Sequence, residues 1–468
     1  MSAGTGWRVV AGFASVGLGA SLASLDTSVN IALPGISSAF SVGLAGIQWI
    51  VICYVLTYSS LMLVCGKVGD LFGYRLVFRA GLLVSVGAYI LCSLPTSYGW
   101  LLAARMLQGI GTALALSCGP ALATSLVPES QRTRALAIFG TMSAAGAAVG
   151  PSLGGVLVEL FGWSAVFWFR APLSALALVL SLSLASSTRN SARSRFDLLG
   201  AVLLAATMTS LLMAVVTSRL PWAPAWLPIV LAALGVAVLL AFIAWERRMT
   251  EPILRPAIFA DGIFVLQNLA SVAMNCASFS ILLLVPYFLV RAAHLSAVWG
   301  GLVMALSAVG AMLGAAAASR LAVMLGRRRL AALGLAVCGV ALCASGTATA
   351  IGALPIFAAC LLVQGLGAGV FQVAYTDIVT ATLPLRDRGV AGSLAMVTRT
   401  LGVVSGASLL SALFVGTEKS AVAAGVTAPQ AFLDAFATGM QAAGAGLLVL
   451  LALSFLRPST WLARDTAA

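Results

Sequence analysis

Charged side chains are scarce in this sequence: Asp, Glu, Lys and Arg make up only 8% of its 468 residues. A soluble domain carries about a quarter, so a water-facing globular surface is excluded. Histidine occurs once, as His294, beside Arg291 in what reads as a solvated loop. No Ser/His/Asp set, metal-ligand spacing or phosphate-cradling glycine loop is present. Nothing therefore supports an enzyme, and neither a cofactor nor a metal is expected. The eight cysteines lie singly inside apolar runs and read as small packing residues, not as disulfides or metal ligands. Arg8 precedes an apolar stretch from 9 to 33. That is longer than the roughly 7–15 residues of a signal-peptide core, so the stretch reads as a first membrane span.

What is abundant is apolar chain. Hydrophobic residues make up 61% and the mean hydropathy is +1.08. Runs of about 20 apolar residues each suffice to cross a bilayer as a helix. They are continuously apolar rather than alternating, which argues against a transmembrane barrel. The fold class expected is an all-α integral membrane protein. Fourteen spans are read at 9–33, 46–65, 76–95, 99–126, 135–159, 164–186, 197–218, 224–246, 262–290, 297–318, 328–350, 354–382, 388–416 and 436–456. With the N-terminus placed inside, twenty of the 26 basic residues fall in inside segments. Arg219, Arg291 and Lys419 fall outside, and Arg105, Arg170 and Arg399 lie within spans. This asymmetry is the positive-inside pattern. It accounts for the net charge of +13 without nucleic acid and places both termini in the cytoplasm of a multi-pass inner (plasma) membrane protein.

The chain repeats itself at an offset of 256 residues. Arg105-Met-Leu-Gln-Gly-Ile-Gly111 parallels Leu361-Leu-Val-Gln-Gly-Leu-Gly367, and Pro128, Arg132, Gly146 and Gly150 parallel Pro384, Arg388, Gly402 and Gly406. Two six-helix bundles are expected at 1–186 and 262–468, with an inserted transmembrane pair and linker at 187–261. Duplicated bundles of this kind place a substrate site between the halves near mid-membrane.

The stretch Gly146-Ala-Ala-Val-Gly-Pro-Ser-Leu-Gly-Gly155 puts Gly146, Gly150 and Gly154 on one thin helical face, with Gly155 beside it. Pro151 has no N–H and frees the carbonyl of Ala147. By itself this is a close-packing seam. The full string resembles the fifth-helix signature of proton-coupled antiporters in the major facilitator superfamily, which implies a gating helix. Gly66-Lys-Val-Gly-Asp70-Leu-Phe-Gly73-Tyr-Arg75 resembles that superfamily's cytoplasmic loop motif at Gly66, Asp70, Gly73 and Arg75, again implying gating. The later echo, Ser319 to Arg329, has Val323 where the Asp would fall. A turn with a solvated charge cluster is the alternative reading of the first loop.

Ionisable groups inside a bilayer cost roughly 2.5–3.5 kcal/mol even on lenient scales, so each needs a reason. Asp26, with Asn30 one turn on, lies about 10 Å below the outer end of span 1, and Arg105 about 9 Å below that of span 4. Equal depth lets them meet. Leu25-Asp-Thr-Ser-Val-Asn-Ile-Ala-Leu-Pro34 resembles the first-helix motif of fourteen-span drug:proton antiporters, with Ser28 departing from it. Either a permanent ion pair or a proton switch fits, because burial favours the neutral acid and Arg105 favours the carboxylate. Asp377 and Arg399 are read as a second pair across the hairpin of spans 12 and 13, structural or proton-coupling. Arg170 stands where the similar family has Asn. It is read as snorkelling about 9 Å to the outer surface, or as an anion-attracting feature at a cavity mouth.

Polar or aromatic residues inside spans that could line a substrate path are Asn30, Gln48, Trp49, Tyr54, Gln108, Arg170, Asn275, Gln372 and Tyr375. The reading is a monomeric exporter exchanging protons for a hydrophobic or amphipathic small molecule by alternating access, with partners limited to substrate, protons and lipid. Transport of an organic anion or nutrient, and a receptor or lipid-handling protein on the same fold, stay open.

Overall fold

A computed structural model describes residues 3–128, 131–184, 197–217, 224–249, 262–350, 353–382, 389–456 and 459–462. The first helices are α1 (Ala3–Ser24), α2 (Ser28–Phe40), α3 (Leu44–Ile47), α4 (Trp49–Phe72), α5 (Tyr74–Ser93) and α6 (Tyr98–Ser125). Next come α7 (Arg132–Phe161), α8 (Ala165–Trp168), α9 (Arg170–Leu180), α10 (Leu198–Thr217), α11 (Trp226–Glu246) and α12 (Gly262–Arg291). The last are α13 (Ala297–Leu325), α14 (Arg327–Ala350), α15 (Leu354–Thr382), α16 (Gly389–Ala423), α17 (Ala428–Ser454) and α18 (Ser459–Leu462). Helix is the outcome that lipid demands of a continuously apolar chain, since each backbone N–H and C=O then finds its partner within the segment.

Twelve helices among the described residues are long and apolar enough to cross a membrane. They coincide with the expected spans except at 46–65 and 197–218, where the qualifying apolar stretches are the shorter Trp49–Met62 and Val202–Leu211. The first span is longer than expected, running from Val9 to Phe40. Pro34 does not end it, because a proline inside a membrane helix costs only a backbone bond that neighbours can replace. The helix stops at Ser41, which takes a left-handed conformation and donates its N–H to the carbonyl of Ser38.

The chain falls into two units: residues 1–42, 49–210 and 234–253 form one, and residues 43–48, 211–233 and 254–468 the other. In the first, α6 packs against α4 and α5, α7 against α1 and α2, and α9 against α5. In the second, α15 packs against α13 and α14, α16 against α12, and α17 against α14. The neighbour pattern of one unit is thus that of the other, as the 256-residue repeat predicts. Gly73 (φ +94°) joins α4 directly to α5, and Gly326 (φ +80°) joins α13 to α14 in the same way. Only glycine takes such a φ without strain. Pro384 and Arg388 of the repeat, and the loop residues Arg189, Arg193, Arg195, Arg219, Arg255, Arg386, Arg457 and Arg464, lie outside the described residues.

The glycine seam packs α7 onto the first span. A Cβ on Gly146 would stand 2.6 Å from the carbonyl oxygen of Ser21, and one on Gly154 would stand 2.8 Å from Cβ of Ser28. Gly150 faces the hydroxyl of Thr27, and Gly155 is buried in the same turn. The repeat does the same work in the second unit: a Cβ on Gly402 would stand 2.5 Å from Asn275 Cβ, and one on Gly406 would stand 2.6 Å from the carbonyl of Cys276. With no hydrophobic drive between helices in lipid, such close approach supplies the packing energy.

Gly146 and Gly140 sit on the same helix, but a Cβ on Gly140 meets nothing within 4 Å. Gly146→Val is expected to lower stability by about 1–3 kcal/mol through overpacking against immovable backbone. Gly140→Ala is expected to be neutral or slightly stabilising. Thermal unfolding of the purified protein in detergent measures both, and equal effects at the two sites would contradict the seam.

Candidate functional site

The site is built on a break in the first span. Leu25–Thr27 form a single 3₁₀ turn between α1 and α2, so the backbone leaves α-helical register where Asp26 stands. A short 3₁₀ piece within a long helix is a point of local strain and mobility. Serine and threonine crowd this turn and bond across to α7. Ser21 Oγ donates to the carbonyl of Met142 at 2.7 Å, and Ser24 Oγ and Ser143 Oγ lie 2.7 Å apart. Thr27 Oγ1 lies 3.4 Å from the carbonyl oxygen of Ala147, which Pro151 deprives of its helical donor. The freed backbone group therefore finds its partner one residue away from the carboxylate.

Asp26 receives two arginines and a glutamine. Arg105 donates through Nη1 to Oδ1 and through Nη2 to Oδ2, each at 2.7 Å, a bidentate fork. Gln108 Nε2 donates to Oδ1 at 3.0 Å, while Gln108 Oε1 accepts from Arg105 Nη1 at 2.6 Å. Arg170 Nη1 reaches the same Oδ1 at 2.8 Å. Each guanidinium is also anchored by its Nε, Arg105 to the carbonyl of Ile50 at 2.9 Å and Arg170 to that of Val166 at 2.7 Å. Both arginines are fully buried, and Asp26 keeps 12% of its side-chain surface. The walls are aromatic: Arg105 Cζ lies 4.4 Å from the Tyr54 ring centre, Arg170 Cζ 5.0 Å from that of Tyr89, and Phe167 lies within 6 Å of both. Electron-rich ring faces are the apolar surface that tolerates a guanidinium best.

Asp26 and Arg105 meet as expected, although the first span runs on to Phe40, so that Asp26 lies further from its end than the depth count assumed. Arg170 does not snorkel. A carboxylate within reach offers a guanidinium a stronger partner than a long climb to the surface, and the side chain turns inward. The cluster then holds two positive charges against one negative. Arg170 Nη2 is buried without a hydrogen-bond partner.

Asp377 and Arg399 are not brought together. Asp377 lies 3.7 Å from Arg327, with 58% of its side chain exposed, and Arg399 is exposed. The expectation assumed that consecutive spans pack as a hairpin, but α15 lies mainly against α13 and α14, and α16 mainly against α12 and α17. A half-exposed pair of this kind contributes about 0–1 kcal/mol. The second unit instead carries a neutral version of the site. Leu361 stands at the repeat position of Arg105, and Gln364 at that of Gln108. Gln364 Nε2 donates to Ser278 Oγ at 3.2 Å and lies 3.5 Å from Cys338 Sγ, and its Oε1 accepts from Ser307 Oγ at 2.8 Å.

The remaining candidates divide. Asn30 is buried and donates to the carbonyl of Thr27 at 3.1 Å, and Tyr54 walls the cluster. Gln48 is buried and Trp49 half-buried. In the second unit Tyr375 is buried and donates to Asn268 Oδ1 at 2.9 Å, Asn275 donates to the carbonyl of Ser271 at 2.8 Å, and Gln372 is exposed. At the α4–α5 junction a Cβ on Gly66 would have ordinary room, 3.9 Å from Ser117, and the Asp70 side chain lies outside the described residues. Arg75 donates to the carbonyl of Leu184 at 3.0 Å, and Arg79 to that of Ser181 at 2.7 Å, so the two arginines cap the end of the α9 segment. Thr27, Tyr89 and Phe167 were not anticipated. Thr27 adjoins Asp26 and Phe167 lies three residues before Arg170, whereas Tyr89 looks in sequence like any aromatic in an apolar run.

Residues 16–407 match the family profile described as Major Facilitator Superfamily. The chain is 30% identical to the methylenomycin A resistance protein of Bacillus subtilis (strain 168) over 401 residues, covering 84% of each. It is 26% identical to the riboflavin transporter RibZ of Clostridioides difficile (strain 630) over 405 residues, covering 85% of this chain and 86% of that one. Among solved structures, a bacterial homolog of the human lysosomal transporter Spinster, inward-facing and unoccupied, superposes with a TM-score of 0.72 at 17% identity over the full length of both chains.

Charge balance sets the order of two substitutions. Asp26→Asn leaves two buried guanidinium charges uncompensated, whereas Arg170→Asn leaves a neutral Asp26–Arg105 pair. Breaking a buried pair costs about 3–5 kcal/mol. Asp26→Asn is therefore expected to destabilise by about that much and Arg170→Asn by clearly less, read as thermal midpoints in detergent. The reverse order would contradict the charge count.

Proposed function

The chain belongs to the Major Facilitator Superfamily, and we propose that within it the protein is a secondary active exporter that exchanges protons for a hydrophobic or amphipathic small molecule by alternating access. Its family and fold are those of membrane transporters, and it is a multi-pass membrane protein. The observation that carries the proposal is Asp26: a carboxylate inside a membrane span, forked by Arg105, bonded by Gln108 and still partly exposed. A carboxylate held by a guanidinium keeps its charge. When Arg105 and Arg170 both let go, the same carboxylate is left in an apolar, aromatic surrounding, where the neutral acid is favoured and a proton is taken up. Return of Arg105 expels the proton. The membrane potential supplies about 2.3 kcal/mol per charge per 100 mV to drive the cycle.

Export is favoured because the Bacillus subtilis relative is named for resistance to an antibiotic. The riboflavin transporter, similar over a like share of the chain, keeps nutrient transport as the second reading. The proposal includes fourteen spans, with α4 and α10 joining the twelve, both termini in the cytoplasm, the inner (plasma) membrane, a monomer and no cofactor beyond the proton. Gly66, Asp70, Gly73 and Arg75 on one side, and Gly146, Gly150, Pro151, Gly154 and Gly155 on the other, are proposed as gating elements. Asn30, Tyr54 and Gln108 are proposed as substrate-path residues, together with Gln48, Trp49, Asn275, Gln372 and Tyr375. Asp377 and Arg399 remain candidates for a proton-coupling role as separate groups, not as a pair.

Two measurements test this. A drug-susceptibility panel in a hypersusceptible host is expected to show resistance with wild type and none with Asp26→Asn. Inverted membrane vesicles given an acidic lumen are expected to accumulate the responsive compound and to release it when the pH gradient is collapsed. Uptake unchanged by the gradient, or by Asp26→Asn, would remove the proton switch. Accumulation only with the opposite gradient would establish the nutrient reading.

A further inference from the structure

Two guanidiniums face one carboxylate in the first unit, and the surplus charge has no partner among the described residues. Within the cluster Asp26 supplies one negative charge, and Arg105 and Arg170 supply two positive charges. The other titratable side chains around it are Tyr54, Tyr89, Cys53 and Cys92, none of which supplies a second negative charge as a neutral phenol or thiol. A buried charge left uncompensated is among the most expensive arrangements a fold can hold. It persists where function uses it.

The hydrogen bonds show where the surplus resides. Arg105 employs Nε, Nη1 and Nη2, all on protein acceptors. Arg170 employs only Nε, on the carbonyl of Val166, and Nη1, on Asp26. Its Nη2, with two N–H groups, is buried without a partner. Asp26 Oδ1, in contrast, is oversupplied, because it accepts from Arg105, Arg170 and Gln108 at once. If Arg170 lets go, Asp26 retains the Arg105 fork and Gln108. Arg170 is thus the releasable member, and its Nη1–Nη2 edge is a ready fork for a second planar anion.

We propose that Arg170 is the receptor for an acidic group on the transported molecule, so that substrates carry a carboxylate or a similar single negative charge beside their apolar body. Binding moves Arg170 Nη1 from Asp26 to the incoming group, adds Nη2, and brings the cluster from one surplus positive charge to neutrality: two carboxylates on two guanidiniums. Phe167, within 6 Å of both guanidiniums, and Tyr89 supply apolar surface beside that group. Asp26 stays with Arg105, so the step needs no proton transfer. The assignment rests on the proposal that this cluster is the transport site, but not on the direction of transport.

The test uses purified full-length protein and three probes on one aromatic scaffold: an aryl carboxylate dye, its methyl ester and its trimethylammonium analogue. Binding is read by quenching of tryptophan fluorescence, and flux in proteoliposomes. Wild type is expected to bind the carboxylate about tenfold or more tightly over the ester, as charge-assisted bidentate pairs allow, and the ammonium least. Arg170→Asn is expected to erase this preference, Arg170→Lys, which keeps the charge and loses the fork, to reduce it, and Arg291→Gln, at the far end of α12, to leave it intact. If Arg170→Asn fails to fold, Arg170→Lys carries the comparison. Equal binding of carboxylate and ester by wild type, absence of binding by all three, or an unchanged preference in the Arg170 variants would overturn the assignment. Failure of the broader reading looks different: ester flux that ignores an imposed pH gradient removes proton coupling whatever the anion preference.

Discussion

The structure of the first unit depends on finding neighbours for three charges in a medium that offers none. Lipid does not solvate a carboxylate or a guanidinium, so Asp26, Arg105 and Arg170 can stay buried only by bonding one another and the backbone. That requirement sets much else. It explains why both guanidiniums are tied at Nε to carbonyls, at Ile50 and Val166, and why the rings of Tyr54, Tyr89 and Phe167 stand beside them. It also bears on the backbone of the first span, which abandons α-helical register for one turn at Leu25–Thr27 as it presents Asp26 to three donors.

A second constraint is that helices in lipid gain nothing from hiding apolar surface and must gain from contact. The glycines of α7 answer it by letting the first span approach until backbone meets backbone at Ser21. Pro151 would weaken that helix, but the carbonyl it frees lies beside Thr27. The packing seam and the charged cluster are therefore one assembly: Thr27 belongs to the seam through its hydroxyl and to the charged turn through its backbone.

Part of this was legible in the sequence, because an acid and a base inside apolar runs each need a partner. Asp26 and Arg105 meet, although the first span runs on to Phe40 and the depth count from its end does not hold. The glycine spacing and the freed Ala147 carbonyl follow from helical periodicity alone, and the 256-residue repeat reappears as a repeated pattern of helix neighbours. The snorkelling reading of Arg170 fails because depth says nothing about which way a long side chain turns; that depends on a partner 144 residues away in sequence. Asp377 and Arg399 were misjudged for a related reason. Nearness along the chain does not set packing, and α15 and α16 each pack chiefly on other helices. Tyr89 carries no mark to distinguish it from ordinary aromatic filling.

The neutral counterpart around Gln364 has a consequence of its own. Ser278, Ser307 and Cys338 satisfy that glutamine with hydroxyls and a thiol, so no ion has to be balanced there. Replacing one small polar group with another in that half would leave the charge arithmetic of the first half untouched. Of the two repeated halves, one is thus bound by strict charge stoichiometry while the other can exchange one small polar group for another without disturbing that balance.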